Sequence, residues 1–394
     1  VVLFGLYGAQ ARAAEAAPEG SVQVTPWGTV ERRASRDAPQ WVVGGFVDTL
    51  YAFNSNYPAN HVLRGNYTSP RSGEFSPNLT VMYLRRDASR TEPWNLELAL
   101  QAGAAADALH AQEPIAGGAA GRYAGPSVFR HISRANVGLT LPTQTGVAAG
   151  VFVSPISFGS FWTKDSWHAS SSWSMNSVPY HLAGVRVVQP LSRKVLVSAW
   201  LVNGWQWLSE NNDAPSGIVS FTFQPTENVA LYHHLMFGPE QSRSEARYFR
   251  LFSDTQLVMT FGAWDVALVG EVGREQSIVS ERLTGWATGK VQVRARAPLS
   301  RDVELRIGGR PEIFYDPGGV SFGVVDSTFA SATLTGEAVF FRSIQTRLEY
   351  RFDSATSPRG FFYRESAITN DALLAQTQHT LFLQWIGSLE NVIP

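Results

Sequence analysis

Cysteine is absent from the 394 residues, which excludes a disulfide-braced scaffold and any thiolate metal site. Charge is scarce as well: Asp, Glu, Lys and Arg make up 16% of the chain, against about 25% in soluble proteins. With a formal net charge of −1 the chain is not a strongly basic nucleic-acid binder. No apolar run approaches the roughly 18 residues that a membrane-spanning helix needs. Neither a phosphate-cradling glycine loop before a helix nor a His-x-x-x-His spacing occurs, so nucleotide and zinc-hydrolase chemistry have no anchor.

What the chain does have is aromatic residues, at 12%, and segments that switch between apolar and polar at every position. On a strand, residues i and i+2 share a face. Leu96, Leu98 and Leu100 thus oppose Asn95, Glu97 and Gln101, and Val219, Phe221 and Phe223 oppose Ser220, Thr222 and Gln224. Ile344, Leu348, Tyr350 and Phe352 oppose Gln345, Arg347, Glu349 and Arg351 in the same way. Tight turns fall near Ala88–Thr91, Pro142–Thr145, Pro190–Arg193, Pro225–Glu227, Gly262–Ala263, Pro298–Asp302 and Arg342–Ser343. Longer polar stretches such as Asn54–Gly73, Gly103–Ser127 and Asp353–Gln376 alternate with them. Short turns at one end, long loops at the other and dyad alternation between are the signature of an all-β, antiparallel transmembrane barrel.

Sixteen segments are predicted, starting near residues 41, 75, 93, 129, 146, 177, 194, 217, 228, 247, 264, 286, 302, 332, 344 and 377. Fourteen result if one hairpin is read as loop. Residues 40–394 form the single barrel domain in this reading. Val1–Gly8 with the alanines after it reads as the remnant of a secretory signal, assigned to residues 1–14. Residues 15–39, rich in Ala, Pro and Ser, read as a flexible lead-in. A soluble β-sandwich would also alternate, but would not carry polar inner faces over so many strands.

Several strings in order carry a family resemblance. They are Ser154-Pro155-Ile156, Lys164-Asp165-Ser166-Trp167-His168, Pro179-Tyr180-His181 with Gly184 and Arg186, and Val202-Asn203-Gly204-Trp205. Asn211-Asn212-Asp213, Pro225-Thr226-Glu227 and Gly238-Pro239-Glu240 follow, and Gly45-Phe46-Val47-Asp48 with Tyr51 opens the first segment. The stretch resembles the OmpL-like β-barrel porin family of Gram-negative outer membranes. That resemblance implies a porin-like channel with no cofactor and no catalytic residues. Two features depart from the pattern: the serine-rich run Ala169–Ser174, and the tail Gly387–Pro394 after Trp385, where such barrels generally finish on an aromatic residue used in assembly. Either the last strand ends at Trp385 with an extension, or the tail is altered.

Parity assigns ten basic residues to the lumen: Arg134, Arg186, Arg250, Lys290, Arg294, Arg296, Arg306, Arg310, Arg347 and Arg351. The acidic set is Asp48, Glu97, Asp254, Glu271, Glu304, Glu312, Glu337 and Glu349. A charged ring biases which ions pass, and the excess of Arg on the twelfth, thirteenth and fifteenth segments points to a slight anion preference. Alternatively the arginines pair with Glu304, Glu312 and Glu349 and stiffen the wall. The fifth connection, Ser157–Ser177, carries Trp162, Lys164, Asp165, Trp167, His168 and Trp173. It is either a constriction loop folded into the pore or an external loop with an interfacial aromatic girdle. Gly319-Val320-Ser321-Phe322-Gly323 matches a nucleophile elbow, but a predicted strand follows it where that motif needs a helix. His233 and His234 are adjacent, so on a strand they face opposite sides and cannot share a metal.

The sequence therefore predicts a bacterial outer-membrane channel for passive diffusion of ions and small hydrophilic solutes. The rival reading is an outer-membrane enzyme or adhesin with a plugged barrel. Expected partners are membrane lipid and lipopolysaccharide, small hydrophilic solutes, the outer-membrane assembly machinery and further copies of the chain in a homo-oligomer. Nucleic acid, cofactor and metal are not expected.

Overall fold

The computed structural model describes residues 40–111, 113, 126–212, 214–241, 248–276, 282–365 and 374–393. The expected signal remnant (1–14) and lead-in (15–39) lie outside the described residues. Sixteen strands follow one another around a closed antiparallel barrel. They are β1 (Gln40–Asn54), β2 (Phe75–Asp87), β3 (Trp94–Ala102), β4 (Ile132–Thr140), β5 (Gly146–Val153), β6 (His181–Pro190), β7 (Val195–Val202) and β8 (Ser216–Thr226). The second half comprises β9 (Val229–Pro239), β10 (Phe249–Phe261), β11 (Trp264–Gln276), β12 (Leu283–Pro298), β13 (Val303–Asp316), β14 (Ser327–Phe340), β15 (Ile344–Ala355) and β16 (Thr377–Ile393). Short helices α1 (Ala104–His110), α2 (Pro126–Phe129) and α3 (Trp173–Ser177) lie in the long connections. The alternative count of fourteen strands is excluded.

Closure is made by β1 and β16, paired without a break from Trp41↔Ile393 to Asn54↔Thr380. The last strand therefore does not stop at Trp385, whose partner is Thr49. β1 extends beyond that point and presents backbone groups that residues 386–393 satisfy. Four strand starts shift by three residues or more, with β4 beginning at Ile132 against the expected 129 and β12 at Leu283 against 286. β14 begins at Ser327, ahead of the expected 332, and β6 begins at His181 because Ser172 caps a helical turn over Trp173–Ser177, accepting a hydrogen bond from the Met175 N–H.

The side-chain dyads sort as the parity requires. On β15, Leu348 and Tyr350 are exposed on the outside while Arg347 and Glu349 are buried within. The seven short turns gather at one end. Gly262 takes the left-handed conformation (φ 57°) in the two-residue turn Gly262–Ala263, where a side chain would be strained. Pro190-Leu191-Ser192-Arg193 and Pro298-Leu299-Ser300-Arg301 form the same turn twice: Leu191 N–H donates to Val195 C=O and Leu299 N–H to Val303 C=O, both at 2.9 Å. Outward aromatics cluster at both rims. Trp41 and Trp94 meet at 6.4 Å near the short turns, with Phe261, Trp264 and Phe341 exposed at the same end. Tyr51 with Phe75, Phe53 with Tyr57 and Phe237 with Phe249 stand at the loop end. Such girdles mark the two lipid–water boundaries.

This outward assignment is testable at mid-strand. Leu334 on β14 is 55% exposed, and Leu334→Arg should destabilise the barrel by about 2–4 kcal/mol in a bilayer. Urea titration of folding into lipid vesicles measures it; an unchanged midpoint would place Leu334 away from lipid.

Candidate functional site

The connection 154–180 between β5 and β6 turns inward and lies across the barrel interior. Its start is set by Ser157, held in the left-handed region at φ 61°, whose N–H donates to the Asp254 carboxylate on β10 at 3.0 Å. From there the loop touches strands on opposite sides of the barrel. Trp162 Nε1–H donates to Ser133 Oγ on β4 (2.9 Å), and Lys290 Nζ on β12 donates to the Phe158 carbonyl (2.9 Å). Thr163 Oγ1 donates to Asp48 on β1 (2.7 Å), and Arg347 on β15 donates to the carbonyls of Thr163 (2.8 Å) and Ser166 (2.6 Å).

Buried charge must be compensated, and here loop backbone does much of that. Glu349 accepts the N–H groups of Ala169 (2.7 Å) and Ser170 (3.0 Å) and the hydroxyl of Thr335 (2.7 Å). Glu312 accepts the N–H groups of Trp173 (2.7 Å) and Ser174 (2.8 Å). Those two N–H groups open α3 and have no partner inside the helix. Arg310 donates to the Ser170 carbonyl (2.7 Å), and Arg351 donates to that of Ser171. Lys290 also donates to Ser172 Oγ (2.9 Å) and Ser174 Oγ (2.7 Å), so the serine-rich run is the segment that docks on the β12–β15 wall.

The three expected loop tryptophans are all buried, at 2% for Trp162, 4% for Trp167 and 1% for Trp173. They sit inside the barrel and not in an interfacial girdle. Trp162 stacks on Tyr83 (5.1 Å) and carries the Arg134 guanidinium over its ring at 3.7 Å. Trp173 packs on Phe329 (4.8 Å) and Phe322 (5.1 Å) and donates to Asp353 (3.0 Å). Lys164 and Asp165 pair with each other at 2.8 Å. His168 Nδ1 faces Thr335 Oγ1 at 2.7 Å. Burial, aided by the Arg310 and Arg347 charges, holds its imidazole well below the usual histidine range, so its 3.7 Å approach to Glu349 is not an ion pair. Gly308 on β13 makes room for this ring, since a Cβ there would come within 3.3 Å of His168 Cε1.

The remaining inward charges are largely paired along the wall. Arg134 meets Glu97 (2.6 Å), Arg250 meets Glu275 (2.6 Å), and Arg306 meets both Glu304 (2.5 Å) and Glu337 (2.9 Å). Arg347 also meets Glu337 (2.8 Å), and Arg351 meets Asp353 (2.8 Å). Arg294 (2.8 Å) and Arg296 (3.1 Å) converge on Asp265. Arg186 lies over Phe152 (4.6 Å) and Trp200 (5.3 Å). Of the three expected acidic partners only Glu304 pairs with an arginine; Glu312 and Glu349 serve loop N–H groups instead. Asp265, Glu275 and Asp353 were missed by the sequence reading. Each shares parity with an assigned neighbour (Asp265 and Glu275 with Glu271, Asp353 with Arg351), so a complete parity walk would have found them.

Two small openings, each of about 20 Å³, flank the loop. One is lined by His168, Gln292 and Arg310 among others. The second lies towards the short turns beside Gln224, Glu227, Tyr232 and Asp265. Trp167 borders both. The Gly319–Gly323 string is a turn whose N–H groups at Val320 (2.8 Å) and Ser321 (2.9 Å) bind Asp316, and β14 follows with no intervening helix. His233 and His234 do face opposite sides, bonding to Thr255 and Ser220 respectively.

Comparison with solved structures finds the same fold at very low identity. An anion-selective porin from Comamonas acidovorans matches with a TM-score of 0.56 and 10% identity, covering 89% of this chain and 100% of that one. The trimer form of OmpT from Vibrio cholerae gives 0.55 at 9% identity, covering 90% and 100%. The outer-membrane channel DcaP of Acinetobacter baumannii gives 0.55 at 9%, covering 91% and 99%. No curated protein sequence matches the chain. The family model described as "Putative beta-barrel porin-2, OmpL-like" matches residues 41–385. With that match over nearly the whole barrel, the chain belongs to the OmpL-like β-barrel porin family and is an outer-membrane channel for small solutes.

Proposed function

We propose that the 154–180 loop is the constriction of this channel and that the inward charges line its path. The observation that carries this reading is the pair of openings that meet at Trp167. Water and small hydrophilic solutes pass between the loop and the β8–β13 wall, where Gln224, Asp265, Gln292 and Arg310 offer polar contacts. No catalytic step is assigned: the nucleophile-elbow string lacks the helix its chemistry needs. Trp167→Ala should merge the two openings. Single-channel conductance of the reconstituted variant should rise, and liposomes should swell faster with larger sugars. Unchanged permeability in both assays would count against a constriction at this loop, and wild-type liposomes that never swell would favour a plugged adhesin or enzyme.

A slight anion preference follows from the side of the loop nearer the short turns. There Arg294, Arg296, Arg306 and Arg347 are paired with Asp265, Glu304 and Glu337, while Glu227 lines the opening at its rim. Arginine gathered on one stretch of wall, with its fourth balancing carboxylate out at the rim, yields at most a weak bias. Reversal potentials across a planar bilayer under a salt gradient should have the sign of anion flow in the wild type and shift towards cations in Arg296→Gln. A cation-selective wild type would refute the assignment.

The chain also suits a homo-oligomer, joined through the outer face of β3–β7. Those strands are only 8–10 residues long, whereas β10–β16 have 12–17. Eight residues tilted at about 45° rise only about 19 Å, short of the roughly 25 Å apolar band. Past Trp94 the outward side chains there are aliphatic, among them Leu98, Val137, Val185 and Leu201. A face without a girdle fits a neighbouring barrel better than lipid headgroups. Val185→Trp with Leu201→Trp suits lipid but not a packed interface, so sedimentation in detergent should show oligomers for the wild type and monomers for the double variant.

A further inference from the structure

Two neighbouring short turns, 298–302 between β12 and β13 and 341–343 between β14 and β15, are joined by a backbone hydrogen bond. The Phe341 N–H donates to the Asp302 carbonyl at 2.8 Å. Leu299 is 64% exposed and Phe341 65%, and Arg301 and Arg342 stand exposed beside them. Leu299 continues the outward row of Val291, Val293 and Ala295 past the end of β12, because its N–H still pairs with Val303 in the strand register. Ser300 fixes the rest of that turn, its Oγ accepting the Asp302 N–H at 3.2 Å. Among the described residues neither Arg301 nor Arg342 forms an ion pair. Asp302 is the one exposed acid on the two turns, so positive charge prevails there.

The second turn is strained. Phe341 (φ 52°) and Arg342 (φ 61°) both sit in the left-handed region, with the Ser343 N–H closing on the Phe340 carbonyl at 3.0 Å. Positive φ at both central positions is the type I′ pattern, which Asn-Gly or Asp-Gly fills readily. For a bulky side chain that conformation is an outlier. Two residues of poor turn chemistry side by side point to a use outside the fold.

Both turns lie at the end where Trp41, Trp94, Phe261 and Trp264 mark the lipid–water boundary. In bacterial barrels the short turns are periplasmic, and the leaflet on that side is phospholipid. We propose that Leu299, Arg301, Phe341 and Arg342 form a binding site for the headgroup of an anionic phospholipid in that leaflet. Leu299 and Phe341 lie against the upper acyl carbons, while the two arginines hold the phosphate. A guanidinium presents a planar fork that takes phosphate oxygens bidentately, and apolar and charged groups here follow the order of chain and headgroup in the lipid. The left-handed strain at Phe341 and Arg342 is offset by the lipid they retain. Pro190-Leu191-Ser192-Arg193 makes a turn of the same form, but no exposed arginine stands on the turns beside it. It also lies at the foot of the face assigned to a neighbouring barrel.

The test adds phosphatidylglycerol or phosphatidylcholine to the full folded chain in neutral detergent and counts retained lipid by native mass spectrometry. The wild type should hold phosphatidylglycerol about tenfold more tightly, and its thermal unfolding midpoint should rise when that lipid is added. Arg301→Gln combined with Arg342→Gln should hold the two lipids equally. Phe341→Asn combined with Arg342→Gly should unfold at a higher temperature than the wild type in detergent alone, because the turn is relaxed, yet lose most of the lipid preference. Equal retention of both lipids by the folded wild type overturns the proposal, as does a preference that survives loss of both arginines. A lowered midpoint in the second variant overturns the reading of the turn as strained for a ligand. Inorganic phosphate that raises the midpoint as much as the lipid overturns it in favour of a free-anion site. Oligomers that dissociate in both variants without lipid overturn it in favour of contact between copies.

Discussion

Hydrocarbon offers backbone N–H and C=O groups nothing to bond to, and the rest of this molecule follows from that constraint. A sheet in lipid must meet its own edge, and β1 and β16 do so over a paired length from Trp41 to Asn54. Once the sheet is closed, every strand residue is committed to oil or to the interior by its parity alone. The low charge content of the chain is a consequence, because half of each strand is denied to charged residues. So is the gathering of aromatics at the rims, where a ring can lie in apolar surroundings while its polar edge stays wet.

Closure creates a second difficulty, which the 154–180 loop resolves. An interior crowded with guanidinium and carboxylate groups would be costly to cover with an apolar segment, since removing ions from water must be offset by hydrogen bonds or opposite charge. The loop is polar where it meets them. Glu312 and Glu349 each take two consecutive backbone N–H groups, and Arg310, Arg347 and Arg351 take backbone carbonyls. The serine-rich run places small hydroxyls against Lys290 where larger side chains would have forced the backbone away. Wall and loop thereby become one rigid unit, and the openings that remain are what is left over at Trp167.

Such thorough pairing also bears on transport. Charges tied to one another or to backbone present a small residual field, so a passing ion meets a weak bias and a passing neutral solute meets hydrogen-bonding side chains. The Asp254–Glu271 pair differs, because Asp254 Oδ1 and both Glu271 oxygens have no donor in hydrogen-bond geometry.

The strand count, the turns and the alternation of inner and outer faces were legible in the chain, because the period of two is local and needs no knowledge of distant residues. Asp265 and Asp353 obey the same rule and could have been read from it. Other features were not readable. Whether the tryptophans of the fifth connection lie in a girdle or in the lumen depends on contacts with β4, β12 and β15, far away in sequence. Whether an inward carboxylate holds an arginine, as Glu337 does, or a loop N–H, as Glu349 does, depends on which loop residue arrives opposite it. Alternation by itself determined a closed wall with a polar inside; only the tertiary structure decided how that inside is divided between ion pairs, loop anchors and open space, since those assignments are made by packing across the barrel and not along the strand.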